Sequence, residues 1–153
     1  MYQHTQTGMA IFAAMAMGLV VAVLVLFLVP VPPGEEAGRW IVAGTCAVLL
    51  LAAWFFCSLT ITVRGGLLAW SFGPGVIRKS VPVAEIVQLE PTRTSILAGW
   101  GIHWTPRGWL YNVSGKEAVR IGLKSGRQFL LGTNEPERLI QAIRTAQGPR
   151  ETS

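Results

Sequence analysis

Between Gly8 and Val29 the chain reads GMAIFAAMAMGLVVAVLVLFLV, 22 residues without a charge. As a helix such a run reaches ~33 Å, enough to cross a hydrocarbon core of ~30 Å. A second uncharged run lies between Arg39 and Arg64, and its first part, WIVAGTCAVLLLAAWFFCSL, is again of spanning length. The PVPPGEEAGR segment between them holds three prolines and two glycines, which is loop chemistry. Helices joined by so short a loop run antiparallel. The expectation is a two-span membrane hairpin over residues 1–58, with spans at about 9–29 and 40–58. The octet MYQHTQTG carries no Lys or Arg, and no A-x-A pattern follows the apolar run, so an anchor is favoured over a cleaved signal peptide.

Charge is divided unevenly along the chain. Residues 1–63 hold Glu35, Glu36 and Arg39, a net of −1, whereas residues 64–153 hold twelve Lys/Arg against six Glu, a net of +6. Arg64, Arg78 and Lys79 follow closely on the second run, and the joining loop has one Arg and two Glu. The positive-inside bias then puts both termini in the cytoplasm and the protein in the inner membrane as a multi-pass chain. Ala10, Ala14, Gly18 and Ala22 recur every four residues in the first run, and Ala43 and Ala47 repeat the spacing in the second. Small-residue ridges allow close helix approach in lipid, so these six are expected to pack the spans together or to dock a partner helix. Trp40 and Trp54 stand towards opposite ends of the second run, as interfacial tryptophans do.

Beyond residue 58 the apolar period changes to two. LTITV (59–63), LLAWSF (67–72), VIRKSV (76–81), VAEIVQLEPTR (83–93), WLYNV (109–113), AVRIGLK (118–124) and QFLLGT (128–133) are bounded by Gly, Pro and Asn signals. Seven short strands with one wet face predict an antiparallel barrel or sandwich. TNEPERLIQAIRTAQ then shows a helix start, with Thr133 or Asn134 as N-cap and Leu139, Ile140 and Ile143 as one apolar stripe. That stripe is expected to cover an open end of the barrel, and residues 148–153 to form a disordered tail.

Three segments carry a family likeness: GWGIHWTPRGWLYNVSG, AVRIGLKSGRQFLLGT and EPERLIQAI. With the strand order and final helix, the chain over residues 59–147 resembles the bacterial PH-like (pleckstrin-homology-like) domains carried by small two-span proteins. The resemblance implies a seven-stranded PH-like domain with a C-terminal helix, and an assembly or adaptor role. It does not bring a phosphoinositide cage, because the first hairpin loop is only Arg64-Gly65-Gly66 and one arginine is a poor anion cage. Arg78 and Lys79, after the Gly73-Pro74-Gly75 turn, and Arg93 are instead candidate contacts to anionic lipid. In this frame GWGIHWTPRGW links the fourth strand to the fifth. Trp100, Trp104 and Trp109 either cover the barrel or, with His103 and Arg107, present a platform to a partner.

The chain has no aspartate and only two histidines, His4 and His103. An Asp-oriented triad, an aspartyl dyad and an EF-hand are therefore excluded. Cys46 and Cys57, eleven residues apart on one helix, would stand ~16 Å from each other, too far to bridge. No metal-ligand spacing and no phosphate-gripping glycine loop occurs, and the basic residues alternate along strands without forming a nucleic-acid patch. The expectation is a non-enzymatic scaffold, oligomerisation or adaptor protein without a cofactor. It would sit on the bilayer and contact a protein partner or a second copy. The alternative is a membrane-surface sensor that binds anionic lipid or a small ligand through its basic residues.

Overall fold

The computed structural model describes residues 1–30, 34, 37–94, 101–106 and 108–148. Helix α1 (Met9–Leu28) is apolar on every side and α2 (Ala37–Phe56) nearly so. The Gly8 amide donates to the Cys57 carbonyl at 2.8 Å, so the start of α1 and the end of α2 are held together and the helices run antiparallel. Their half-buried residues fall on facing stripes. Met15, Gly18, Leu19, Ala22 and Leu26 form one, and Val42, Cys46, Leu49, Ala52 and the buried Ala53 form the other. Outside this seam large apolar side chains stand exposed, among them Phe27, Leu28, Trp40, Ile41, Val48 and Trp54.

The structure corrects the expected two-span hairpin. Among the described residues one helix, Ala37–Phe56, is long and apolar enough to cross a membrane, whereas the apolar stretch of α1 is the shorter Phe12–Leu28. The small-residue ridge is also only partly used. Gly18 and Ala22 lie in the seam, but Ala14, Ala43 and Ala47 face outward, and the side chain of Ala10 lies outside the described residues. A methyl group added at Gly18 would meet nothing within 4 Å, so the helices do not need a glycine there to approach.

The strands form two sheets. The first runs β1-β2-β3-β4, all antiparallel, from Tyr2–Thr7, Ser58–Arg64, Leu67–Phe72 and Ile77–Pro82. The second contains β5 (Ile86–Arg93), β6 (Gly101–Thr105), β7 (Gly108–Asn112), β8 (Glu117–Leu123) and β9 (Gln128–Gly132), in the order β5-β8-β9-β7-β6. Within it β7 and β9 are parallel, with Trp109 opposite Phe129 and Tyr111 opposite Leu131. A 3-10 turn, Val83–Glu85, joins the sheets. Helix α3 (Pro136–Gln147) buries Leu139, Ile140 and Ile143 and packs on β2, β5 and β8, touching both sheets.

The single seven-stranded antiparallel barrel with a helix closing one end is therefore overturned. Nine described strands make two separate sheets, and one strand pair is parallel. Two physical causes account for the difference. The N-terminal residues pair with β2 from Tyr2↔Val63 to Thr7↔Ser58, adding an edge strand before the helices. The GIHWT stretch, expected within a connection, is strand β6, paired with β7 from Gly101↔Asn112 to Thr105↔Gly108. That hairpin occupies the far edge beyond β9, which leaves β8 to pair with β5.

One core joins the inner faces of both sheets with α3. Leu59, Ile61, Leu68 and Phe72 meet Tyr111, Val119, Ile121, Leu131 and Ile143. Phe72 also contacts Phe56 edge-on at 5.9 Å, and the Gly73 amide donates to the Ser58 carbonyl at 2.9 Å. The foot of the first sheet thus sits on the end of α2. At Gly73 (φ +51°) a Cβ would lie 2.6 Å from the carbonyl oxygens of Trp54 and Phe55, so glycine is needed where the β3–β4 turn meets the helix.

Candidate functional site

The β6–β7 hairpin is tied at its tip by Thr105, whose hydroxyl donates to the Gly108 carbonyl at 2.7 Å. Gly108 has φ +104°, and a Cβ there would collide with the Gln128 carbonyl oxygen on β9. The hairpin thus lies flat against its neighbour. Trp104 and Trp109 oppose each other across it, 69% and 48% exposed. These two do not cover the core. That work falls to Trp70, 4% exposed, which stacks on Phe129 at 4.9 Å and packs against Tyr111 at 5.2 Å. His103 is half-buried, and its Nε2 is buried with no hydrogen-bond partner among the described residues. Trp100 and Arg107, the other expected contacts of this platform, lie outside the described residues.

The candidate lipid contacts separate. Arg78 folds back on its own turn, its Nε donating to the Gly75 carbonyl at 2.7 Å. Lys79 stands opposite Trp70 in the β3–β4 ladder, which places its side chain on the core side of an edge strand. Its Nζ donates to the Tyr111 hydroxyl at 2.9 Å and lies over the Tyr111 and Trp109 rings at 5.3 and 5.9 Å. Arg93 is exposed at the end of β5, where it lines a hollow with Gln6 and Lys116. Gln6 is buried next to the helix junction and donates to the Ser114 carbonyl at 2.7 Å.

Sequence reasoning missed a polar cluster where β1 meets the start of α3. His4 Nε2 lies 2.6 Å from Asn134 Oδ1, and His4 Nδ1 lies 3.7 Å from Glu135 Oε2. Arg138 reaches Glu135 Oε1 at 3.1 Å. With Tyr2, Arg64 and Gly66, the side chains of His4, Glu135 and Arg138 border a cleft of about 790 Å³. The Tyr2 hydroxyl is buried without a hydrogen-bond partner, and its pKa is raised by burial and by the Glu135 carboxylate, while Thr133 and Arg138 pull it the other way. The cluster ties the first strand to the last helix. It brings no cysteine near a histidine, since Cys57 lies at the helix junction and Cys46 in the α1–α2 seam. No group of three His, Cys, Asp or Glu able to hold a metal occurs among the described residues.

No protein-family model matches the chain, and no curated protein matches it either.

Proposed function

We propose that this protein is a non-enzymatic, membrane-attached interaction module. The apolar helix α2 lies in the bilayer with α1 packed against it, and the two-sheet body binds a protein partner or a second copy on the cytoplasmic side. Apolar surface exposed along the length of both helices is far more than an aqueous monomer leaves uncovered, which supports attachment. The basic residues that follow α2, Arg64 and Arg78 among them, support the cytoplasmic side.

One observation carries the interaction reading: the Trp104–Trp109 pair stands exposed on a hairpin whose outer strand, β6, has no further strand beside it among the described residues. Natural edge strands are usually blunted by charge, and β4 follows that habit with Arg78 and Lys79. β6 reads GIHWT and has no Lys, Arg, Glu or Pro. An uncharged edge beside large aromatics suits strand addition and hot-spot binding. The test is a photo-crosslinking amino acid at position 104 in native membranes, compared with one at the exposed Lys124. The expected result is a discrete adduct from position 104 only, reduced by Trp109→Ala. Equal adducts from both positions, or none from 104, would overturn the reading.

The lipid-sensor alternative has weaker support. Arg78 is spent on its own turn and Lys79 on Tyr111, which leaves Arg93 as the exposed member of the three without a hydrogen bond among the described residues.

A further inference from the structure

Beside Lys79 the two sheets do not close on each other. They leave a groove of about 470 Å³ between β4 and the β7–β9 side of the second sheet. This lies within the size range of small-molecule sites. Trp70, Trp109, Tyr111 and Phe129 give it aromatic walls, and the rest of the lining includes two cations, Lys79 and Arg127, and no acidic residue. We propose that this groove is a binding site for a small organic anion, a phosphate or carboxylate on an aromatic or apolar body, taken up from the aqueous side. The proposal goes beyond the interaction reading; the binding does not depend on it, while the aqueous source of the anion rests on the bilayer attachment proposed above.

Three observations support the ligand's chemistry. Lys79 holds its ammonium between two rings and a phenol, and no carboxylate lies within ion-pair distance of it among the described residues. Arg127 is exposed at the β8–β9 turn, and its Nε reaches only the Ser125 hydroxyl, at a long 3.4 Å. The third is the wall itself: Trp70, 4% exposed, stacks on Phe129 at 4.9 Å and gives the groove a flat aromatic face. An inward-pointing lysine is also a known guard on a sheet edge, which would explain Lys79 by itself. It does not explain the cation of Arg127 across the groove.

Position in the fold decides the source of the anion. The foot of the sheet is the pair Phe72↔Ile77, seated on Phe56 at the end of α2. The pair Trp70↔Lys79 lies two residues up, ~7 Å from the foot, and Leu68↔Val81 lies ~13 Å from it. Since Lys79, Ser80 and Val81 line the groove, it opens along β4 away from the helices. A headgroup of the protein's own bilayer would have to climb to it, whereas a solute meets it directly.

The experiment uses the full chain in nanodiscs of neutral lipid, with phenyl phosphate as probe and phenol as its uncharged counterpart, in calorimetry at physiological salt. Saturable binding of phenyl phosphate at roughly millimolar or lower concentration is expected, with phenol binding at least tenfold more weakly. Lys79→Met and Arg127→Gln should each weaken phenyl phosphate roughly tenfold, the strength expected of a charge-assisted hydrogen bond. Arg78→Gln, outside the groove, should leave it unchanged. Arg127 is an exposed turn residue, so its variant tests the charge without endangering the fold. No saturable binding up to about 10 mM, equal binding of phenol, or indifference to Arg127→Gln would overturn the proposal. So would the finding that Lys79→Met abolishes enrichment of an anionic lipid around the protein in mixed nanodiscs while phenyl phosphate does not bind, which would give the groove to the bilayer.

Discussion

Tyr2 shows how a residue near the chain start becomes part of the body. Its side chain packs on the core, its hydroxyl lacks a partner, and its pKa is raised above the ordinary 10.0, first by burial and then by Glu135. Folding therefore favours the protonated phenol. Its contribution to stability is fully present below the ordinary value and is lost as pH rises through the higher folded-state value. Tyr2→Phe keeps the ring and removes the titration. The variant should match or exceed the parent's melting temperature at neutral pH, and it should lose less stability as pH rises above 10.0. Thermal melts of both proteins across that range check this, and parallel losses would show that the alkaline sensitivity lies elsewhere. Nothing in MYQHTQT announces such a role. His4 and Asn134, which meet at 2.6 Å, stand 130 positions apart, and a contact at that separation leaves no local pattern.

Among the elements, the β6–β7 hairpin depends most on a single backbone position. Gly108→Ala places a methyl group against the Gln128 carbonyl at a φ that L-residues rarely adopt. The hairpin should lift from β9, at a cost of about 1–3 kcal/mol of the kind stored at strained backbone positions. Faster amide exchange at Trp109 to Tyr111 than in the parent checks it, since those residues pair with β9. Unchanged protection there would mean the hairpin is held by its side chains. Legibility followed apolar alternation. LLAWSF and AVRIGLK sit at β3 and β8 because Leu68, Trp70 and Phe72, and Val119, Ile121 and Leu123, repeat every second residue and are all buried. β1 was unreadable for the same reason, since its inner face carries Tyr2, His4 and Gln6, polar groups fixed by partners far along the chain. GIHWT looked like connection because its glycine and the proline that follows read as breakers, although Pro106 falls in the turn and Gly101 opens the strand. Alternation also says nothing about strand order. The parallel β7–β9 pair and the split into two sheets come from which edge the hairpin occupies. The exposed Trp109 and the buried Trp70 exchange the roles that a tryptophan-rich segment suggested.

For the whole molecule, the pairing of β1 with β2 places the chain start and the two-sheet body on one side of the helical pair. With Cys46 and Cys57 replaced by serine, single cysteines at Gln3 and at Lys124 should react with an impermeant thiol reagent from the same face of sealed vesicles. Opposite faces would mean that the pairing does not form in the membrane. The ladder has a further consequence in time. Thr5 meets Thr60, 55 residues later, so β1 must wait until both helices and β2 have been synthesised. Closing so long a loop is entropically unfavourable, and each doubling of its length adds only ~0.6 kcal/mol, so the delay is set by synthesis more than by chain search. Until then β1 stands outside the ribosome with no strand beside it. For that interval the nascent chain carries an unpaired strand, and it is β2 of the same chain that closes it.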